Sequence, residues 1–292
     1  MRLALGQIRT RFTGFQRLAE LARDLDAEDC AEYNLDMSNV TWLDANMCAP
    51  LGGVLRRCRD KGASVSQSGL AGSPRTIMRK NHFLKLFNVD PLADTYDTTI
   101  KFRRFEADRS GFEEFQAYVL EHFKQGSRGL PTMTAALLRR FRESLFEVFE
   151  NAVEHSYTRH GVFACGQHFP KKARLDFTIA DMGIGIRENI RRSLGVELPP
   201  IHALDWAVSG NTTRRGRPGG LGLQLIKEFV ALNGGRLIVV SDLGFWQLSQ
   251  GSSLYSRELP CHFPGTAVTI EVRTSDTRSY CLSSELDPNS IF

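Results

Sequence analysis

The sequence contains no long apolar run, and this absence excludes a helix that crosses a membrane, which needs about 20 consecutive apolar residues. The N-terminal stretch MRLALGQIRTRF returns to charged residues at once, so it does not resemble a secretory signal peptide. None of the 6 cysteines forms a Cys-x-x-Cys pair, which argues against a redox pair or a zinc-binding pair. We therefore expect free thiols in a cytoplasmic protein with no membrane partner.

Blocks of charge of one sign are also lacking. The formal net charge is only +4, and the basic residues are dispersed with acidic residues between most of them. Such a distribution does not favour nucleic acid as a partner. With 42% hydrophobic and 24% charged residues, the chain has the composition of a soluble globular protein, and its 292 residues suffice for two domains.

Residues 1–105 alternate predicted strands and helices. A strand ends near Asp36, an amphipathic helix follows and ends at Gly62, and a short strand comes next. A second helix is predicted over SPRTIMRKNHFLKLF, with Ser73 as its N-cap. The order βαβα predicts a small α/β domain in this part of the chain.

Residues 106–273 are predicted to form a second domain. Its longest helical pattern, TMTAALLRRFRESLFEVFENAVEHS, repeats apolar residues with a period of about 3.6. Two strands that form a hairpin are predicted next, and residues 187–218 are polar and match no single element. A helix to Asn233, a strand, a further hairpin and a last strand complete this domain. Residues 274–292 are expected to form a flexible tail.

Three side chains follow one line along the long helix, namely Glu147, Asn151 and His155. Their spacing of four residues places them within one arc of the helix surface, offset from the apolar stripe that includes Phe141 and Leu145. A helix of this kind can form the floor of a polar pocket. The alternative is a solvated helix face, because Glu and Asn are ordinary surface residues.

A second candidate motif is IADMGIGI, in which an apolar strand leads to Asp181 and then to Gly183 and Gly185. An acid at a strand end beside two glycines can accept a hydrogen bond from an exocyclic amine while a flat ring lies over the backbone. The alternative is a turn in which Asp181 caps a following helix.

A third candidate motif is the glycine-rich start of an apolar helix, Gly220-Leu221-Gly222-Leu223. The first turn of a helix offers unpaired backbone N–H groups and a partial positive charge, which together can hold a phosphate group. Taken alone, the segment is equally compatible with an ordinary turn.

In this order, the three motifs resemble those of the GHKL ATPase superfamily, which includes gyrase-type ATPases, heat-shock-protein chaperones, histidine kinases and anti-sigma-factor serine kinases. The resemblance covers roughly residues 110–273. FEVFENAVEHS is similar to the anti-sigma-kinase version, and GGLGLQLIKEFVALNGGRLIVVS to the histidine-kinase version. The resemblance implies an α/β sandwich, a mixed sheet with helices packed on one face, that binds ATP with Mg²⁺.

The resemblance also implies a role for each matching residue. Asn151 would coordinate the Mg²⁺ that bridges the phosphates, Asp181 would bond the adenine amino group, and Thr266 would support adenine recognition. One Asn is enough because Mg²⁺ keeps several waters and takes phosphate oxygens. Residues 187–218 would be a mobile lid over ATP. The other nucleotide-binding candidates are Gly183, Gly185, Gly220, Gly222 and Leu223, whose backbone would approach the adenine or the phosphates.

Glu147 lies four residues before the proposed magnesium ligand, where gyrase-type ATPases and anti-sigma kinases carry a general base and many histidine kinases carry Asn. The resemblance therefore implies hydrolysis of ATP, or transfer of its γ-phosphate to a Ser or Thr hydroxyl. His155 either orients the site or packs at the helix end.

The stretch NLDMSNVTWLDANMCAPLGGVL is similar to the STAS domains of anti-anti-sigma factors, with Asp36, Ser38 and Asp44 in the matching D-x-S-x-V-x-x-x-D pattern. Phosphorylated members carry Ser or Thr directly after the second Asp, whereas this chain has Ala45 there. The resemblance implies an interaction or regulatory module without a phosphate acceptor at that place. An unrelated small α/β domain is the alternative.

Two functions are compatible with these motifs. The first is a Mg-ATP-dependent ATPase or Ser/Thr protein kinase of the partner-switching type, with Glu147 as the base. The alternative is an ATP-gated binding module with little or no turnover, in which ATP closes residues 187–218 or joins two protomers into a homodimer. Both functions require ATP and an unidentified protein as partners.

Overall fold

The computed structural model describes residues 1–27, 30–213, 221–250 and 253–285. We call residues 1–98 the N-terminal unit. Its elements are β1 (Arg2–Ala4), α1 (Phe12–Ala27), β2 (Glu32–Asp36), α2 (Cys48–Asp60), β3 (Ser64–Ser68) and α3 (Gly72–Lys80). The three strands are parallel, in the order β1-β2-β3, which is the arrangement that alternating strands and helices produce.

The rest of the described chain is built on a five-stranded antiparallel sheet. Its elements are β4 (Thr99–Phe105), α4 (Arg109–His122), β5 (Thr132–Met133), α5 (Ala135–His155), β6 (Val162–Phe169), β7 (Arg174–Asp181), α6 (Gly185–Leu194), α7 (Pro200–Val208), α8 (Leu221–Asn233), β8 (Arg236–Ser249), β9 (Ser253–Arg273) and β10 (Ser279–Tyr280). The sheet order is β4-β6-β7-β9-β8. Strand β4, which precedes the predicted domain boundary at residue 105, is therefore an edge strand of this sheet.

The architecture is mixed α/β, as the sequence predicts. The five-stranded sheet is antiparallel in every pair, not mixed as the resemblance implies. Among the residues that the structure describes, no helix has the length and apolar character needed to cross a membrane.

Both faces of the five-stranded sheet are buried. On β7, Leu175, Phe177 and Ile179 point to one face and belong to the apolar core that α4, α5 and α8 complete. The alternate residues Thr178 and Ala180 point to the opposite face, which the N-terminal unit covers. Because side chains alternate along a strand, the sheet forms a middle layer shared by two cores.

Polar contacts join the N-terminal unit to this second face. The Ala45 backbone N–H donates to Gln167 Oε1 at 2.7 Å, and Asn46 Nδ2 donates to Thr178 Oγ1 at 2.9 Å. Residues 44–46 belong to the STAS-like stretch, and all three are buried at this interface. Buried polar groups are retained when they are hydrogen-bonded, so these pairs set how the unit lies on the sheet.

Strands β8 and β9 continue past the sheet as a long two-stranded hairpin, so the predicted strand and the predicted hairpin after it are one continuous pair. On one side of the hairpin, Phe245 packs against Phe15 of α1, with ring centroids 6.0 Å apart. On the other side, Trp246 Nε1 donates to Asp205 of α7 at 2.7 Å. The hairpin therefore connects the N-terminal unit with α7.

Most of the predicted elements are confirmed. The strand that ends at Asp36, the long helix α5, the β6–β7 hairpin and the helix that ends at Asn233 are all present. These elements have strong local signals, namely a clear apolar period and a capping or breaking residue at the end.

The predicted start of α3 is wrong. Ala71 is the N-cap and Gly72 begins the helix, so Ser73 lies inside the first turn. The helix ends at Lys80, earlier than predicted, because His82 adopts a left-handed backbone conformation with a φ of 68°. A residue in that conformation cannot continue a right-handed helix.

The polar segment 187–218, which matched no single element, contains regular structure in its described part. Helix α6 ends at Leu194, and Gly195 follows it with the left-handed conformation of a C-terminal cap and a φ of 70°. Pro200 then begins α7. The Gly and Pro residues that obscured the pattern are thus the boundaries of two helices. Residues 214–218 of the predicted lid lie outside the described residues.

The predicted tail, residues 274–292, packs on the sheet domain over its described part. Strand β10 pairs with β5, and the ring of Tyr280 packs against Phe229 with centroids 5.4 Å apart. Asn233 Nδ2 donates to Asp276 Oδ2 at 3.2 Å, which adds a polar anchor. Residues 286–292 lie outside the described residues.

Candidate functional site

Helix α5 carries the first set of candidate residues. Thr134 caps its start by accepting a hydrogen bond from the Leu137 backbone N–H at 3.2 Å. One side of the helix is buried in the sheet core. Glu147, Asn151 and His155 follow one another in successive turns, and each is half-buried.

A cavity of about 860 Å³, including its open mouth, lies beside Asn151. Its walls come from α5, α6, α7, the start of α8 and strands β7 and β9. The predicted residues that line it are Asn151, His155, Asp181, Gly185, Leu223 and Thr266. All three sequence motifs therefore contribute to one cavity. Of the described candidates, Glu147, Gly183 and Gly222 lie outside its lining.

Asp181 ends strand β7 and is almost fully buried, with 4% of its surface exposed. Burial raises the pKa of its carboxyl to about 7, although hydrogen bonds from the Gly183 and Thr266 backbones and from Ser156 act in the opposite direction. The Gly183 N–H donates to Asp181 Oδ1 at 2.8 Å, which is an Asx-type turn. Asp181 does not cap α6, whose N-cap is Ile184. The structure therefore shows the turn that the alternative interpretation of this motif predicts. It does not show the predicted capping of a following helix by Asp181.

Gly183 and Gly185 are required by the packing of the loop. A Cβ atom on Gly183 would lie 2.0 Å from the Ser156 carbonyl oxygen, and one on Gly185 would lie 2.7 Å from Ser241 Oγ. Gly185 also has a positive φ of 78°, a conformation that favours glycine. Glycine is therefore needed at these two positions because other protein atoms lie very close to them. The approach of adenine to the same glycines stays a prediction.

Ser241, which the sequence analysis did not single out, organises the loop from the β8 side. Its Oγ donates to the Gly265 carbonyl at 2.8 Å and accepts from the Ile186 backbone N–H at 2.9 Å. The same oxygen lies 3.2 Å from Thr266 Oγ1. One hydroxyl thus holds the start of α6 and the predicted adenine-recognition residue in a fixed relation.

Glu147 contacts the start of α8. Its Oε2 accepts a hydrogen bond from the Gly222 backbone N–H at 2.8 Å. A Cβ atom on residue 222 would lie 2.9 Å from the same oxygen, so glycine allows this approach. The proposed base and the third motif are therefore in direct contact across 75 residues of sequence. Gly220 lies outside the described residues.

The sequence analysis missed several cavity residues. Asn189 of α6 and Trp206 of α7 line the cavity, and Asn189 Nδ2 donates to Thr213 Oγ1 at 3.2 Å. Asn189 follows Gly185 by one helical turn, so its spacing could have revealed it once α6 was recognised. Trp206 had no local signal, because its position depends on how the β8–β9 hairpin holds α7.

The raised pKa of Asp181 predicts that stability depends on pH. Its pKa is about 7 in the folded chain and near the ordinary 3.8 in the unfolded chain. Between these values the folded state holds a proton that the unfolded state releases, so the stability should fall as pH rises from about 4 to about 7. We expect Asp181→Asn to remove this part of the slope, measured by denaturant unfolding without nucleotide. Parallel slopes for the two proteins would contradict the assignment.

Residues 137–276 match the family described as histidine kinase-, DNA gyrase B-, and HSP90-like ATPase. This part of the chain is a GHKL-type ATPase domain, and the match supports ATP binding and an ATPase- or kinase-like regulatory role. No curated protein matches the sequence. The matched range contains every predicted site residue, from Glu147 to Thr266.

Proposed function

We propose that the chain binds Mg-ATP in the cavity and hydrolyses or transfers its γ-phosphate, with Glu147 as the general base. The observation that carries this proposal is the meeting of Asn151, Asp181 and Thr266 at one cavity, inside the range that matches the ATPase family. These residues come from α5, β7 and β9, which only the folded chain brings together.

Asp181 would define the adenine end of the site. Its carboxylate is oriented by the Gly183 N–H and lines the cavity, where it can accept a hydrogen bond from the adenine amino group. Thr266 is the β9 partner of Asp181 in the sheet register, so the two lie side by side at this end. Because a buried acceptor without a donor is costly, the pair would favour adenine over a base that lacks the amine.

Asn151 would define the phosphate end and hold Mg²⁺. Its amide oxygen is a hard ligand, which Mg²⁺ accepts, and Asn151 lines the cavity. In the described part of the chain, no group of three or more His, Cys, Asp or Glu residues could hold a metal ion. A single amide ligand suits an ion that takes its other ligands from phosphate oxygens and water, so the donor set fits Mg²⁺ brought with the nucleotide.

Glu147 lies one helical turn before Asn151, outside the lining of the cavity, and its carboxylate would reach the γ-phosphate at the phosphate end. A carboxylate there can take a proton from an attacking water molecule. The water oxygen then bonds to the γ-phosphorus, and ADP leaves. The same step with a Ser or Thr hydroxyl of a partner protein gives a phosphoprotein. The second acceptor corresponds to a protein kinase of the partner-switching type.

The N-terminal unit is proposed to act as a STAS-like regulatory module rather than as a phosphate acceptor. Ala45 has no hydroxyl, and its backbone N–H is bonded to Gln167 of the sheet. Asn46, the next residue, is fully buried against Thr178. The loop that would carry the phosphate acceptor thus forms part of the interface between the N-terminal unit and the sheet.

The contact between Glu147 and Gly222 favours a second candidate, an ATP-gated binding module with little turnover. In this arrangement the carboxylate caps α8, where phosphate would otherwise bind the free N–H group. ATP would displace the carboxylate, move α8 and change the surface presented to a protein partner or to a second copy of the chain.

Incubation of the pure protein with γ-labelled ATP and Mg²⁺ separates the two candidates. Label in free phosphate indicates an ATPase, and label on a protein in cell extract indicates a kinase. Bound ATP that releases no label under either condition indicates the binding module. Failure to bind ATP at all would overturn the proposal.

Asn151→Ala is expected to abolish the gain in ATP affinity that Mg²⁺ provides, because the proposed ligand for the ion is lost. Titration calorimetry with and without Mg²⁺ measures this gain directly. Glu154→Ala, an exposed position on the same helix, is the control and should retain the gain. An undiminished Mg²⁺ effect in Asn151→Ala would show that the ion is held elsewhere.

A further inference from the structure

Helix α2 of the N-terminal unit packs on the back of residues 181–185, which we call the adenine loop. Met182 lies between Asp181 and Gly183, and its side chain is buried in the core that the sheet shares with the N-terminal unit. A Cβ atom on Gly53 of α2 would lie 2.6 Å from Met182 Cε and 2.9 Å from Met182 Cγ. The helix reaches the loop this closely because residue 53 has no side chain.

The adenine loop is held from its other side by the end of α5. The Ile184 backbone N–H donates to the Ser156 carbonyl at 2.8 Å, and Gly183 has no room for a side chain at the same carbonyl. The peptide that follows Met182 carries the N–H that bonds Asp181 Oδ1 at 2.8 Å. A shift of Met182 is therefore transmitted through one peptide group to the carboxylate in the cavity.

A second contact fixes the same helix near the same loop. Asp60 follows Gly53 by seven residues, or about two turns, so both lie on one face of α2. Asp60 Oδ2 lies 2.7 Å from His160 Nδ1, and Asp60 Oδ1 lies 2.7 Å from Arg56 Nε. His160 is buried and follows Ser156 by four residues. Helix α2 thus contacts the adenine loop and also residues 156–160, the segment that holds this loop from its other side.

We infer that Met182 is a positioning residue of the nucleotide site, and that α2 sets its position, so that the N-terminal unit controls ATP affinity. This inference rests on the proposed function. Its physical basis is that tightly packed contacts transmit displacement instead of absorbing it. A protein that binds the N-terminal unit and moves α2 would change the affinity for ATP without touching the cavity.

Two neighbouring glycines of α2 provide a matched test. Gly53→Ala places a methyl group against Met182, whereas Gly52→Ala places one 2.5 Å from the ring of Phe102 on β4, and its nearest neighbours do not include the adenine loop. Both variants strain the contact between α2 and the sheet. We expect only Gly53→Ala to weaken ATP binding, by roughly two- to thirtyfold, measured by calorimetry on the full chain with Mg²⁺.

Two further measurements distinguish positioning from a general loss of stability. The ratio of ATP affinity to GTP affinity should fall in Gly53→Ala and stay unchanged in Gly52→Ala, because the displaced group recognises the base. Met182→Ala removes the contact with Gly53 without adding volume, and it should weaken ATP binding by the same roughly two- to thirtyfold. This variant keeps the test valid if Gly53→Ala does not fold. The double variant Gly53→Ala/Met182→Ala should be no weaker than Met182→Ala alone, because the overlap is gone.

Equal ATP affinities in Gly53→Ala and Gly52→Ala, or an unchanged affinity in Met182→Ala, would overturn the inference while the proposed function stands. The wild-type chain is measured first, and Asn151→Ala is the reference for loss of the Mg²⁺-dependent gain in ATP affinity. No ATP binding by the wild type would overturn the proposed function itself, so the two failures are distinguishable.

Discussion

Glu147→Gln is expected to slow release or transfer of the γ-phosphate by roughly 10²- to 10⁴-fold while ATP remains bound. A neutral amide cannot take the proton of the attacking water or hydroxyl. Its oxygen can still accept the hydrogen bond from the Gly222 N–H, so the start of α8 keeps its cap. Single-turnover measurements with γ-labelled ATP, next to calorimetry for binding, separate the chemical step from affinity.

Two further variants are controls for the loss of turnover in Glu147→Gln. Glu147→Ala removes both the base and the cap of α8, so it should lose turnover and also change ATP affinity. Glu150→Ala, three residues further along α5 and outside the lining of the cavity, should retain turnover. Rapid turnover by Glu147→Gln would show that another group is the base, and Glu147 would then act through its structural contacts, which include the one with Gly222.

Removal of residues 1–98 is expected to leave the sheet domain aggregated. Phe102, Phe163 and Phe263 lie on the sheet face that the N-terminal unit covers, and they are buried against its residues. Each large apolar side chain returned to water costs about 1.5–3 kcal/mol. Three such side chains together cost about 5–9 kcal/mol, which is comparable with the usual net stability of a domain, about 5–15 kcal/mol. Size-exclusion chromatography and circular dichroism of a 99–292 fragment measure the effect.

Complementation provides the control for this deletion. Co-expression of residues 1–98 as a separate chain should restore a soluble complex, because the buried face and its hydrogen bonds at Ala45 and Asn46 can form again. A monodisperse 99–292 fragment that binds ATP without the complement would show that the N-terminal unit is dispensable for the fold. The interface would then serve regulation alone.

Local signals made much of the fold predictable. The apolar period predicted α5, and the short spacing between two predicted strands predicted the β6–β7 hairpin. Errors arose where the signal was ambiguous. Serine is a favourable N-cap residue, but Ser73 lies two positions after the observed N-cap, Ala71, because Gly72 already begins the helix. The segment 187–218 matches no single element in the sequence, although Gly195 and Pro200 in its described part close one helix and begin another.

The candidate site was predictable in its parts. Asn151 and Asp181 were identified from spacing and from the residues beside them, and the structure places both on the lining of one cavity. Trp206 and Ser241 could not be found in the same way, since each acts through an element distant in sequence. The roles of these residues in binding ATP and Mg²⁺ stay predictions.

By itself, the sequence determined most strands and helices of the ATPase domain, though not α6 and α7, and the three motifs that mark it as GHKL-type, because periodicity, capping and motif spacing are local properties. Only the tertiary structure decided three further features: the burial of the second sheet face by the N-terminal unit, the contact of Glu147 with Gly222, and the seat of Met182 against Gly53. Each depends on packing between residues far apart in the chain, where the fit of complementary surfaces, rather than any local preference, selects the partner.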